Sequence, residues 1–148
     1  MRVKAIPKVV FQNKFAYILS QPNVAVISIL DTDAKRIVDD IRGKVLTVWF
    51  DDIHPKTTMT LASCMDCKAA DFDDAKKIIN FIKTLPPEID FIFVHCTAGI
   101  CRSGAVVDFL RVVLDVDDVQ FVSDNPGIIP NDWVLDLLWM TWKMKGKL

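Results

Sequence analysis

Cys96 and Arg102 stand in the run HCTAGICRSG with five residues between them. Their types and spacing suit attack on a tetrahedral anion. A thiolate is a strong nucleophile, and the planar guanidinium fork of Arg102 can hold two oxygens of an oxyanion, which a lysine cannot do. Ser103 offers a hydroxyl that can donate to the sulfur when it leaves again. Gly99 gives the intervening chain freedom to turn, and Gly104 allows close packing beyond it. A second group of interest lies upstream at Asp51-Asp52-Ile53. Two adjacent carboxyls there offer a proton donor for a leaving oxygen.

Elements must bring these groups together. Phe91 to Val94, with Ile89 just before, is apolar and reads as a buried strand, and Ala105 to Leu114 has apolar residues at helical spacing. A loop from a strand's C-terminal end to a helix N-terminus points successive N–H groups into one concavity, where the helix dipole adds positive charge. Thr97, Ala98, Gly99, Ile100, Cys101, Arg102 and Ser103 would line that concavity. The Cys96 thiol, aimed into it, should lie below its ordinary pKa. Asp51 and Asp52 end the strand Lys44 to Phe50, and the C-terminal edge of a parallel sheet is where such proteins place their sites.

His95, Cys96, five residues, Arg102 and Ser103, with Gly99 between, resemble the signature of the cysteine-dependent protein tyrosine and dual-specificity phosphatases. The tyrosine-specific members carry a Trp-Pro-Asp loop that this sequence lacks, so the likeness is to the small dual-specificity type. It implies that Cys96 attacks phosphorus and that Arg102 and the loop N–H groups stabilise the in-line transition state. An aspartic acid protonates the leaving oxygen, and water hydrolyses the phosphocysteine. Short relatives place the acid just before an apolar residue, which points to Asp52, with Asp51 the alternative. The resemblance also implies that the His95 ring braces the loop through its backbone, and that Pro130-Asn131 precedes the final helix. No metal or cofactor is implied.

The expected partner is a phosphorylated protein or peptide, with phosphotyrosine the expected group and phosphoserine or phosphothreonine as further candidates. The loop interior has no lysine to favour polyphosphoinositides or RNA triphosphates. Two other chemistries fit the same loop: a phosphate-binding relative without turnover, and an arsenate-reductase-like or sulfur-transfer enzyme, for which Cys64 and Cys67 would keep resolving thiols in play.

The chain has 148 residues, 51% of them hydrophobic, enough for one α/β domain with a substantial core: a mostly parallel sheet of about four or five strands flanked by helices. A net charge of −1, from 18 basic and 19 acidic residues, argues against a nucleic-acid face. No apolar run approaches membrane length, and MRVKAIPKVV lacks a signal peptide's core, so the expectation is a cytoplasmic monomer with no membrane partner. In that reducing setting Cys64 and Cys67 read as packing residues, since a CxxC alone lacks the second ligand pair of a zinc site. Cys101 either packs under the loop or traps an oxidised Cys96. His54 reads as a loop residue.

The remaining pattern predicts an edge strand before Pro7, a helix over Lys8 to Leu19, and a central strand over Asn23 to Leu30. A short helix follows over Ala34 to Ile41, capped by Gly43. Beyond the polar loop Lys56 to Ala70, an apolar stripe predicts a helix to Leu85, ended by Pro86-Pro87. A short helix is expected over Asp117 to Val122. The last one, Asp132 to Lys145, should pack Trp133, Leu137, Leu138, Trp139 and Trp142 on the sheet.

Overall fold

The computed structural model describes residues 1–55 and 67–145. Every residue of β2 (Val24–Leu30, VAVISIL) is buried. A strand without a polar face must be covered on both sides, so β2 belongs inside the sheet. Its neighbours are β3 (Val45–Trp49) and β4 (Phe91–Cys96), and β1 (Arg2–Pro7) lies beyond β4, giving the order β1-β4-β2-β3. All three pairings are parallel. The sheet therefore has four strands among the described residues, at the lower end of the expected number.

Side chains alternate between two cores, as the two-residue strand period requires. Val24, Val26 and Ile6 face α1 (Lys8–Ser20), which supplies Phe11 and Ile18. Ala25, Ile27, Ile29, Ile92 and Val94 face the opposite way, into the larger cluster. There they meet α2 (Phe72–Lys83) and α3 (Arg102–Val113), with α4 (Asp118–Asp124) and α5 (Asp132–Lys145) completing that layer. Each fully buried Ile or Val contributes roughly 1.5–3 kcal/mol of transfer free energy.

The α2 helix forms where the apolar stripe predicts it. A reciprocal capping box at its start, between Asp71 and Asp74, satisfies orphan N–H groups. The last helix also has its expected span, but its aromatic residues pack chiefly on helices rather than on the sheet. Trp139 and Trp142 stand edge-on to Phe109 of α3, at 4.9 and 5.8 Å between ring centroids. One predicted element is not there. Residues 34–41 are irregular, although Ile37 and Val38 do reach the smaller core. The polar groups of the segment serve other elements: the Ala34 carbonyl accepts from the Trp49 indole and Asp40 from the Val45 N–H. Gly43, at φ 74°, follows Arg42 at 58° in a tight turn rather than capping a helix.

Of the paired cysteines, Cys64 lies outside the described residues, and Cys67 is disulfide-bonded rather than a reduced packing residue. No described helix is long and apolar enough to cross a membrane.

Candidate active site

Adjacent parallel strands whose following helices leave to opposite faces open a crevice at their C-terminal ends. Here those strands are β1 and β4, followed by α1 on one face and by α3 on the other. Residues 97–101 turn in this crevice, against the β1–α1 junction. The Lys8 N–H donates to the Thr97 carbonyl at 3.2 Å, and Gly99 lies so close to Ile6 and Pro7 that a Cβ would sit 2.5 Å from the Ile6 carbonyl carbon. Gly99 also has φ 72°, a left-handed conformation that favours glycine. Gly104 plays its expected part too, since a Cβ there would come within 3.2 Å of Ile128.

Cys96 ends β4 and is 2% exposed. Its Sγ lies 3.1 Å from Ser103 Oγ and accepts from the Gly99 N–H at 3.3 Å. Burial alone would push the thiol up. The Ser103 hydroxyl and the N–H groups of Ser103, Ile100 and Gly99 outweigh it and hold the pKa below the ordinary cysteine value. Around this sulfur, Thr97, Ala98 and Ile100 are exposed.

Arg102 opens α3 and is 4% exposed, so its charge needs partners. Nη1 donates to Asp31 at 2.8 Å and to the Phe50 carbonyl at 2.9 Å, while Nη2 donates to Thr97 Oγ1 at 3.0 Å. Nε is buried with no partner among the described residues. An unmade buried hydrogen bond costs about 1–3 kcal/mol, so Nε is a donor that an oxyanion would satisfy. The guanidinium is thus anchored through Nη1, and its Nε edge remains for a ligand.

The two acids divide sharply. Asp51 accepts from the Thr32 N–H and hydroxyl and from the Lys68 N–H. Burial raises its pKa, but these bonds and the charge of Arg102 bring it below the ordinary carboxylate value, as suits a structural tie. Asp52 is exposed and its Oδ1 accepts from Asn131 Nδ2 at 2.8 Å. Asn131 in turn donates its backbone N–H to the Cys101 carbonyl at 2.9 Å, so Asp52 is held beside the phosphate-type loop. Cys101 is free and partly buried, and burial followed by the nearby Asp52 charge raises its thiol pKa.

His95 lies beneath the loop. Its Nε2 lies 2.6 Å from Ser28 Oγ on the neighbouring strand, and its ring stacks on Phe11 at 4.7 Å. Nδ1 has no hydrogen-bond partner among the described residues. The ring therefore braces the loop from beneath, through β2 and α1, and also interacts with the Cys96 backbone where the loop begins. His54 packs near Trp133, 5.4 Å between centroids. Asp31, which directly follows the expected strand Asn23 to Leu30, Ser28 and the Phe50 carbonyl join the site without a sequence signal that singles them out. Asp31 was the most findable, because it closes β2 on the same edge of the sheet as the loop. No group of three His, Cys, Asp or Glu residues able to hold a metal occurs among the described residues.

With this geometry in hand, the likeness to solved structures has meaning. PTP-2 phosphatase of Cydia pomonella aligns with a TM-score of 0.59 at 19% identity, covering 93% of this chain and 84% of that one. Tk-PTP in its active form gives 0.53 at 16%, covering 97% and 92%. PTPMT1, solved with PI(5)P, gives 0.53 at 13%, covering 97% and 91%. The chain has the fold of the cysteine-dependent protein tyrosine phosphatases. No protein-family model and no curated protein sequence matches it. At these identities the likeness is one of fold, and the chemistry rests on the site itself.

Proposed function

We propose that this chain is a cysteine-dependent phosphatase that hydrolyses phosphomonoesters through a phosphocysteine intermediate. The observation that carries the reading is the pairing of a thiol of lowered pKa, Cys96, with the buried Nε of Arg102, which has no partner among the described residues, at the two ends of one loop. In this mechanism the Cys96 thiolate attacks phosphorus. The loop N–H groups and the Nε edge of Arg102 take up charge on the equatorial oxygens, and Asp52 gives its proton to the leaving oxygen. Ser103 then donates to the sulfur as water releases phosphate.

We assign the substrates to phosphorylated proteins or peptides, carrying phosphotyrosine and, where the cleft admits it, phosphoserine or phosphothreonine. PTPMT1 was solved with a phosphoinositide. The loop here, Thr97-Ala98-Gly99-Ile100-Cys101, has no lysine to add charge for a second phosphate. The test is hydrolysis of an aryl phosphate in the presence of a chelator. Cys96→Ser should abolish turnover while keeping phosphate binding, and Asp52→Asn should lower kcat by about 100-fold. Full turnover by Cys96→Ser would refute the mechanism. Phosphate or vanadate binding by the natural protein without turnover would identify a phospho-group binder instead.

A further inference from the structure

We infer that Asn131 is a positioning residue for the general acid, acting through its side-chain amide on Asp52. This rests on the phosphatase reading above. Asn131 ties three different parts of the molecule together, and its Nδ2 also lies 3.5 Å from the Ile53 carbonyl next to the acid. Its Oδ1 accepts from the Val134 N–H at 3.1 Å, in the first turn of α5. Its backbone N–H donates to Cys101 of the phosphate loop at 2.9 Å. Its Nδ2 donates to Asp52 Oδ1 at 2.8 Å.

The amide orientation is not free. A backbone N–H can only donate, so Oδ1 must face Val134 and the NH2 group must face the acid. The strand of chain before it is fixed as well, because the Ile129 N–H donates to the Ile100 carbonyl at 3.1 Å. Asn131 thus sits at a constant place beside residues 100–101, and whatever its NH2 group holds is held in register with the loop. Asp52 needs that help. Its neighbour Asp51 is locked by three hydrogen bonds. Asp52 itself is exposed, on a segment that is neither strand nor helix. An exposed aspartate samples several rotamers, and a proton donor works only within hydrogen-bond reach of the leaving oxygen.

A helix cap and a positioning residue make different predictions. Serine caps as well as asparagine does but is too short to reach both Val134 and Asp52, so Asn131→Ser keeps the cap and loses the hold. Asn131→Ala loses both. Asn131→Ser should leave the melting temperature near that of the natural protein and lower kcat on phenyl phosphate, a poor leaving group, by about tenfold. On 4-nitrophenyl phosphate, whose leaving group needs little protonation, the loss should shrink to about twofold. In an Asp52→Asn background Asn131→Ser should have no further effect, since no proton donor remains to be placed. An unchanged kcat for Asn131→Ser on both esters, or a loss that multiplies with that of Asp52→Asn, would overturn the inference and leave the phosphatase reading intact. Absence of Cys96-dependent turnover in the natural protein would overturn both.

Discussion

At the scale of single residues, the side chain that decides most is Asp31. Arg102 is buried and charged, and without a carboxylate beside it the desolvation of its guanidinium would be uncompensated. The 2.8 Å bond from Nη1 to Asp31 supplies that compensation. It also fixes the guanidinium plane, with Nη1 engaged and Nε without a partner among the described residues. Removing the acceptor should release the plane. Asp31→Ala should lower kcat on an aryl phosphate by about tenfold and weaken vanadate binding, whereas Asp31→Asn, which keeps an acceptor oxygen, should lose less. Equal activity in the alanine variant and the natural protein would show that the Phe50 carbonyl suffices. Cys96, Arg102, Ser103 and Asp52 were legible because their chemistry is carried by types at short spacing. Asp31 was not, because its partner lies 71 positions away and nothing local marks a turn aspartate as one half of an ion pair.

At the scale of elements, the loop depends on the seat it rests on. Gly99 meets two demands at once: a left-handed φ of 72°, and backbone of β1 so near that a methyl group would lie 2.5 Å from Ile6 C and 2.6 Å from Pro7 N. Backbone atoms of an edge strand cannot step aside as a flexible side chain can. Gly99→Ala should therefore deform the loop, costing about 1–3 kcal/mol of stability. Turnover should fall by at least about 100-fold, because donors of an oxyanion site act only when correctly placed. Thermal unfolding and aryl phosphate hydrolysis measure the two effects, and an alanine variant with normal turnover would contradict this account of the seat.

The elements that the sequence revealed were those with dense local signals. The stripe Ala75, Ile78, Ile79 made α2 plain, and the apolar run before Cys96 made β4 plain. Residues 34–41 misled because Ile37, Val38 and Ile41 have helical spacing, while the bonds that hold this stretch reach to Trp49 and Val45 of the next strand. The contact of the loop with β1 was hidden for a related reason. In a parallel sheet neighbours are set by crossovers, and β1 pairs with a strand far along the chain, Arg2 opposite Phe91.

At the scale of the whole molecule, His95 couples the site to global stability. Its ring is fully buried beneath the loop, between Ser28 on β2 and Phe11 on α1. Burial, aided by the charges of Lys8 and Arg102, outweighs the opposing pull of the Cys96 backbone and brings its pKa from 6.5 down to about 4. The imidazole is thus neutral in the folded protein wherever the pH exceeds about 4, while in the unfolded chain it takes up a proton below its ordinary value of about 6.5. Between those values the unfolded state binds more protons, so stability rises with pH. The contribution is complete above about pH 6.5 and is lost progressively as the pH falls toward 4, amounting in the limit to about 3 kcal/mol. That is a large share of the roughly 5–15 kcal/mol that holds a domain folded. Asp51 and Asp124, whose pKa values lie below the ordinary carboxylate value, add their losses mainly at lower pH. Urea unfolding at pH 7, 5.5 and 4.5 should show the natural protein weakening across this window and His95→Gln weakening much less. The same pH dependence in both proteins would place the acid sensitivity elsewhere. Because the ring touches β2, α1 and the start of the loop together, charging it cannot be absorbed by one element: the support of the Cys96 loop and the two-sided sheet should give way in a single transition.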